Sequence, residues 1–412
     1  MEGNQGRQSG RDGTGGIEGC IIGVRLHVSL HTRPQLGEYG LVVEVQLFDS
    51  CERDLSINLG KFCVSDHCGG WISGTGRPKF VKLTSLREND MTSLRVCVDY
   101  DDPLVAELIQ NALSQYIPDL KHTSPSEAEL QWSSYESISF EKIMADPKNL
   151  CNSYIFRKAL IRKHFLVNTV QNWLSKHPES VLATSVPRTH ILECDYADYL
   201  DEALNESFEL RDALEANGEL ESEERTYFIL KPSMSDRGQG IRIFSTLEQL
   251  QEIFEQFEEE EASEEEEEAK EGTNIIASQL RYFVIQEYIK SPLLLDTIHQ
   301  GQKFHFRVYV VAFGAIKVYV WSEILALFAA ESYTSPSVSC EDMAGHLTNT
   351  CLQDGSRKDE SVMRFWSLPL PQEVSHQMFD EICQITGEVF LAAAAGQQMH
   401  FQVVQYITVL TK

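Results

Sequence analysis

The 412 residues carry 62 acidic against 35 basic side chains, a formal net charge of -27 at pH 7, and are 42% hydrophobic. That length and apolar fraction can bury more than one core, so two or three globular domains are expected, and the negative balance argues against nucleic-acid backbone binding, which needs clustered Lys and Arg. No apolar run reaches the roughly 20 residues of a membrane span, the N-terminus MEGNQGRQSGRDGTGG has no signal-peptide core, and the expectation is a cytoplasmic or nuclear protein without a membrane partner.

Residues 1 to about 16 are glycine-rich and polar, and order is not expected there. From Cys20 to Leu86, strand-like runs such as Leu41–Phe48 are separated by Gly, Pro and Ser; residues 1–90 read as a small β-rich unit or an extension without a motif. Ten cysteines are scattered in no paired pattern, which fits free thiols. Cys63-Val-Ser-Asp-His67-Cys68 is the one tight group, but a zinc site needs a second ligand pair and Cys51 is a poor partner, so no metal is assigned.

A strand is predicted over Ser93–Tyr100, then a helix with Asp102 as N-cap and Pro103 at its first position. Leu104, Val105, Leu108, Ile109, Ala112, Leu113 and Tyr116 recur at helical spacing until Pro118. Strand then helix marks a small α/β domain. After a polar linker, Tyr154–His164 gathers Arg157, Lys158, Arg162, Lys163 and His164 into a basic patch, by itself readable as a solvated helix face. Phe165, Leu166, Val170, Trp173 and Leu174 carry that helix on with a core-facing side, ending before Pro178.

The most informative stretch is YFILKPSMSDRGQGIRI, Tyr227–Ile243. An apolar strand runs into Lys231 and Pro232, a polar loop with Ser233, Ser235, Asp236, Arg237, Gly238 and Gly240 follows, and a second apolar strand closes it. Glycines let backbone N–H groups approach oxyanions and the lysine adds a point charge. Taken alone, the stretch fits a phosphate-covering lid and an ordinary surface hairpin equally. Ser245 and Glu248 suggest a capping box for a helix buried through Leu247, Leu250, Ile253, Phe254 and Phe257. The glutamates at 258–268 repel one another, lack an apolar face and read as a disordered insertion or a solvated extension of that helix.

Arg281–Ile289 is a strand ending in Gln286, Glu287, Tyr288 and Ile289 before Pro292. In Lys303–Val310, alternation sends Lys303, His305 and Arg307 to one face and Phe304, Phe306, Val308 and Val310 to the other. Three cationic or titratable side chains on one face suit an anionic partner, ATP phosphate or a substrate carboxylate. His346-Leu347-Thr348-Asn349 places short polar groups in a loop, and a last helix spans about Glu373–Ala395 and stops at Gly396. No Walker A, GxGxxG, kinase or hydrolase-triad pattern is present.

The loop at Lys231–Ile241, the Lys303–Arg307 strand and His346–Asn349, in this order, resemble the tubulin–tyrosine ligase family, whose motifs read KPS…RGxGI, KFDxR and HLTN; the resemblance covers about Val96–Gln402 and fits a fungal-type member. It implies an α/β (α+β) fold, with ATP-grasp-like mixed sheets and flanking helices, preceded by a small α/β domain and ending in an incomplete C-terminal sheet. The implied domains are 91–185 and 186–412, with an acidic insertion at 258–271. It implies ATP held by Lys163 or Lys158, Lys231, Ser235, Arg237, Gly238, Gly240, Gln286, the backbone of Glu287, Tyr288 and Ile289, and Lys303. Lys303 and Arg307 are the implied catalytic pair, and His305, Arg307, Thr348 and Asn349 the acceptor side. His305 stands where the family has aspartate, and Leu327 stands where an LRxAS-like segment has arginine.

The implied activity is ATP-dependent joining of an amino acid to a protein carboxylate, with tubulin or another acidic tail as acceptor; a non-catalytic nucleotide- or protein-binding module is the alternative. In such ligases a carboxylate is activated on the γ-phosphate and an amine displaces phosphate, so the protein's work is charge neutralisation and positioning. The family's Mg²⁺ ligands follow the last helix in a DFxxD…LLEVN pattern. Here Met399-His400-Phe401-Gln402 still resembles the family, but Val403–Lys412 holds no Asp or Glu. The expectation is a truncated chain with no protein ligand for Mg²⁺, impaired catalysis and an exposed sheet edge.

Overall fold

The structure, a computed structural model, describes residues 22–33, 38–44, 62–65, 71–73, 94–100, 102–117, 119–146, 148–235, 238–268, 281–295, 297–313, 316–336, 343–349, 361–396 and 399–402. Within residues 22–73 and 260–268, and at Tyr116 and Phe313, only the backbone is described. Residues 1–16, Cys51, His67, Cys68, Asp236, Arg237 and Val403–Lys412, all used in the sequence reading, lie outside the described residues.

The first complete unit is a parallel sheet. Strand β5 (Leu94–Asp99) passes through α1 (Pro103–Tyr116) to β6 (Leu120–His122), and β7 (Leu130–Ser133), α2 (Phe140–Ala145) and β8 (Leu150–Cys151) follow. The order is β6-β5-β7-β8, and α1 and α2 are crossovers of the kind parallel pairing requires. The start of α1 forms as its sequence predicts: the Asp102 carboxylate accepts from the Leu104 N–H at 2.9 Å, and Pro103 takes a position whose N–H would have no helical partner.

A second, antiparallel sheet has the order β11-β10-β12-β9, from β9 (Thr189–Glu193), β10 (Phe228–Pro232), β11 (Arg242–Phe244) and β12 (Tyr282–Glu287). Its helices are α6 (Leu200–Glu206), α7 (Phe208–Gly218) and α8 (Leu247–Glu268). Alternation along β10 decides what each face does. Phe228 and Leu230 join Leu204, Leu214, Leu250, Phe254 and Phe283 in a core under the helices. Tyr227 and Ile229 turn the other way, toward Ile243 and Tyr288, and Lys231 shares their side of the strand.

The N-terminus of α8 lies one residue beyond its expected cap. Thr246 Oγ1 accepts from the Gln249 N–H at 3.3 Å, while Gln249 Oε1 accepts from the N–H groups of Ser245 (2.7 Å) and Thr246 (3.3 Å). The capping box is therefore Thr246–Gln249 rather than Ser245–Glu248, because the side chain reaching back must stand at the third helical position. The glutamate run extends this helix to Glu268. Its first member is not simply solvated, since Glu258 Oε1 accepts from the Ala197 N–H at 2.6 Å.

The third sheet is built on β13 (Gln302–Phe313), with β14 (Lys317–Trp321), β15 (Leu325–Ser332) and β16 (Val362–Arg364). The N-terminal strands β1 (Ile22–Arg33), β2 (Glu38–Glu44), β3 (Phe62–Ser65) and β4 (Trp71–Ser73) belong to it as well. β15 pairs with the first half of β13 and β14 with its last residues, whereas β1 runs antiparallel from Val28 opposite Phe306 to Ile22 opposite Ala312. Because β1 overlaps both of the others, it takes the opposite edge of β13. Along β13, the backbone donors and acceptors that a bare edge would leave open are paired by β1.

Phe304, Phe306, Val308, Val310 and Ala312 on β13 face a shared core with α4 (Lys163–Leu174) and α9 (Gln372–Ala395), including Leu166, Val170, Ile382 and Phe390. The short helices α3 (Lys158–Ile161) and α5 (Leu182–Ser185) contribute Ala159, Leu160 and Leu182 to it. The opposite face of β13 carries Lys303, His305 and Arg307, as the two-residue period requires. No helix among the described residues is long and apolar enough to cross a membrane.

Candidate functional site

Lys231, 3% exposed, is the most enclosed ammonium of the candidate set, and burial of such a charge demands strong partners. Its Nζ donates to Gln286 Oε1 at 3.0 Å on the neighbouring strand. Gln286 Nε2 donates to Thr189 Oγ1 at 2.9 Å, and that hydroxyl donates to the Pro187 carbonyl at 2.7 Å. This relay fixes the orientation of the Gln286 amide, with its oxygen toward the lysine. Lys231 and Gln286, together with Lys163, line a cavity of about 350 Å³ whose walls include Leu166, Val170 and Val284. A mainly apolar cavity with a few convergent polar groups is the usual form of a small-molecule site.

The loop after β10 is held from α4. Lys163 Nζ donates to the carbonyls of Pro232 (3.0 Å) and Ser235 (2.7 Å). Ser235 Oγ donates to the Gln239 carbonyl at 2.9 Å, which draws the loop across itself. Gly238 and Gly240 have φ of 85° and 69°. At Gly240 a Cβ would also lie 2.7 Å from Pro232 Cγ. Gly240→Ala is therefore expected to cost about 1–3 kcal/mol, and a urea midpoint equal to wild type would contradict this reading of the turn.

His164, the neighbour of Lys163, is buried against the same loop, with Nδ1 2.5 Å from Ser233 Oγ. Its imidazole is pushed down from 6.5 to about 4, first by burial and then by the nearby Arg162 and His400 charges. The unfolded chain takes up this proton below pH 6.5 while the folded chain resists it until about pH 4. The contribution to stability is therefore whole above pH 6.5 and is lost as pH falls toward 4. The stability difference between wild type and His164→Phe should shrink over that interval in urea titrations; a constant difference would contradict it.

On β13, Lys303 Nζ donates to the Tyr288 hydroxyl at 3.1 Å and lies 4.4 Å from the centre of the Tyr288 ring, a cation–π contact. The same hydroxyl is 2.9 Å from His346 Nδ1. His305 Nδ1 is 2.6 Å from Thr348 Oγ1. The HLTN segment is thus seated on the Lys303–Arg307 face, with Thr348 buried and Asn349 half-buried. Arg307 is 9% exposed, and Leu327, 1% exposed, is the cross-strand partner of His305.

Sequence and structure diverge at several residues. Lys163 lines the cavity, whereas Lys158 is exposed and outside it, so of the two alternatives only Lys163 is brought to the site. Arg157, part of the presumed solvated patch, is buried with its guanidinium 3.9 Å from the Tyr135 ring centre. At the strand end the N–H groups of Glu287 and Tyr288 donate to the carbonyls of Arg188 (2.9 Å) and Tyr227 (2.8 Å), and Ile289 follows half-buried. Thr189, His164 and the Tyr288 side chain were not among the expected site residues. Their partners lie on other elements, and no local spacing marks them.

The family model for the "Tubulin-tyrosine ligase family" matches residues 141–406, which include every candidate side chain named above. The chain belongs to the tubulin–tyrosine ligase family. A Schizosaccharomyces pombe member, a probable tubulin–tyrosine ligase, is 43% identical over 319 residues, 75% of this chain and 78% of the relative. The Saccharomyces cerevisiae probable tubulin–tyrosine ligase PBY1 is 39% identical over 355 residues, 78% of this chain but only 46% of that protein. Among solved structures, the C-terminal domain of K. lactis Pby1 superposes with a TM-score of 0.54 at 32% identity, covering 76% of this chain and 79% of that one. It is described as an ATP-grasp enzyme interacting with the mRNA decapping enzyme Dcp2. The mixed sheets and flanking helices seen here are accordingly an ATP-grasp-like fold in a fungal-type member of this family.

Proposed function

We propose that this chain is an ATP-dependent carboxylate–amine ligase of the tubulin–tyrosine ligase type, joining a free amino acid to a protein carboxylate, with the acidic tail of tubulin as acceptor. The observation that carries this reading is the convergence of Lys163, Lys231 and Gln286 on one cavity, with Tyr288 continuing from Gln286 to Lys303 and the HLTN segment. The donor set suits a nucleotide triphosphate: ammonium groups for phosphate, and an apolar wall with strand-end backbone for a base. ATP supplies the phosphoryl group that turns a carboxylate into an electrophile.

The chain's own residues then act by position and charge. Lys231 and Lys303 offset phosphate charge from fixed places, Lys303 being aimed by Tyr288. Arg307 and His305, on the same face of β13, orient the acceptor carboxylate, with Thr348 fixing the His305 ring. Ser235, Gly238 and Gly240 shape the loop over the phosphates. Among the described residues no group of three or more His, Cys, Asp or Glu side chains could hold a metal ion. The phosphate charge is assigned to the lysines.

One residue favours a second reading, an ATP- or protein-binding module without turnover. Leu327 puts a buried apolar chain beside His305, where the family segment has an arginine. Incubation with purified tubulin, ATP and labelled tyrosine, glutamate or glycine separates the two. ATP-dependent labelling supports the ligase; ATP binding without labelling by any of the three favours the second reading.

A further inference from the structure

We propose that the buried His164–Ser233 pair positions the glycine loop, fixing its first residue against α4 so that Lys163 and Lys231 meet at one cavity. The consequence for nucleotide rests on the ATP-binding reading above; the positioning itself rests on geometry alone.

Two groups of His164 reach one hydroxyl. Its backbone N–H donates to Ser233 Oγ at 3.2 Å, and its Nδ1 lies 2.5 Å from the same atom. The hydroxyl oxygen accepts from that backbone N–H, and Nδ1 is the one acceptor in reach of its own hydrogen among the described residues, so we assign the Ser233 O–H as donor to Nδ1. That assignment is a neutral ring with its proton on Nε2. The lowered proton affinity of this imidazole agrees with the assignment: burial leads, Arg162 and His400 add to it, and Glu193 opposes it.

The ring itself is fixed. It stacks on Tyr282 of β12 at 4.7 Å and 13°, and Phe165 packs beside it at 4.1 Å. Phe165 in turn stacks on His400 at 4.1 Å. Ser233 is tied at its backbone too, its N–H donating to the Tyr282 carbonyl at 2.8 Å. Side chain and main chain of Ser233 are thus anchored to the same pair of elements, α4 and β12. Both residues are buried, Ser233 at 4% and His164 at 8% exposure, whereas Met234 immediately after them is 47% exposed. The anchor therefore sits at the root of the loop, and Lys163, next to His164, grips the carbonyls on either side of it.

Three variants test this. His164→Phe keeps a ring for Tyr282 but removes the acceptor, Ser233→Ala removes the donor, and His164→Asn restores an acceptor close to the Nδ1 position. Amide exchange of peptides spanning the loop should accelerate about tenfold in the first two and stay within about threefold of wild type in the third. Mg·ATP affinity by calorimetry should weaken by a similar factor, with the double variant His164→Phe/Ser233→Ala no worse than Ser233→Ala alone, which already loses the bond to Nδ1 together with the one from the His164 backbone N–H. Folded Ser233→Ala with wild-type loop exchange would overturn the proposal, as would additive losses in the double variant or failure of His164→Asn to restore the loop. If wild type itself binds no ATP, the nucleotide reading fails, and the exchange measurements still decide the role of the pair.

Discussion

Replacing Phe306 by alanine is expected to lower the unfolding free energy by about 3–5 kcal/mol, the range found when a wholly buried aromatic side chain is truncated. Phe306 is 0% exposed at the middle of β13. Its ring meets Phe365 edge-on at 5.0 Å and Phe304 at 5.6 Å, so truncation loses both transfer energy and packing. The strand at this point is paired on both edges, by Ala326 of β15 and Val28 of β1, and its backbone cannot collapse into the void. His305 and Arg307 flank the residue on the opposite face, which links core packing to acceptor-side geometry. Urea unfolding of Phe306→Ala measures the loss; a change below about 1 kcal/mol would show that β13 is not the centre of the core.

The second large effect is expected at Lys231. Lys231→Met keeps an unbranched chain of similar length and removes the ammonium, and loss of one charge-assisted contact to phosphate should cost about 1.5–3 kcal/mol, or roughly 10- to 150-fold in ATP affinity. Stability should fall by about 1–3 kcal/mol without unfolding the protein, because the buried Gln286 Oε1 loses its donor. The Gln286 amide loses its donor but keeps Thr189. Calorimetry and melting temperature on the same preparation separate the outcomes. Unchanged affinity would mean that Lys231 serves only as a structural partner of Gln286.

Local periodicity made part of this fold legible. The Asp102–Pro103 helix start and the alternation along Lys303–Val310 are short-range patterns, and both appear as read. The cap of α8 missed by one residue, since Ser245 and Thr246 are equally good caps on paper and only the reach of Gln249 chooses between them. The N-terminal strands could not be placed from their sequence: β1 finds its partner in β13, near the other end of the chain, and no pattern in either strand names the other.

The candidate site shows the same division. The Gly/Ser loop and its lysine are visible as a pattern, but His164, which bonds Ser233 at the root of the loop, lies 69 positions earlier and in sequence is one more member of a basic patch. Tyr288 was expected to matter through its backbone. Its side chain instead joins Lys303 to His346, a contact set by how strand ends meet rather than by any spacing. Glu258 belongs by composition to a self-repelling, solvated run, yet it accepts from the Ala197 N–H, a partner 61 positions away that no local pattern marks.

The ATP site is tested most directly by a thermal-shift titration of the full chain with ATP and Mg²⁺, beside the same titration of Lys231→Met. Binding to the native state must stabilise it, by about 2.7 kcal/mol at one hundred times the dissociation constant. The predicted result is a melting temperature that rises with ATP in wild type and needs roughly 10- to 150-fold more nucleotide in the variant. No rise at millimolar ATP, or superimposable curves for the two proteins, would contradict a nucleotide site built on Lys231.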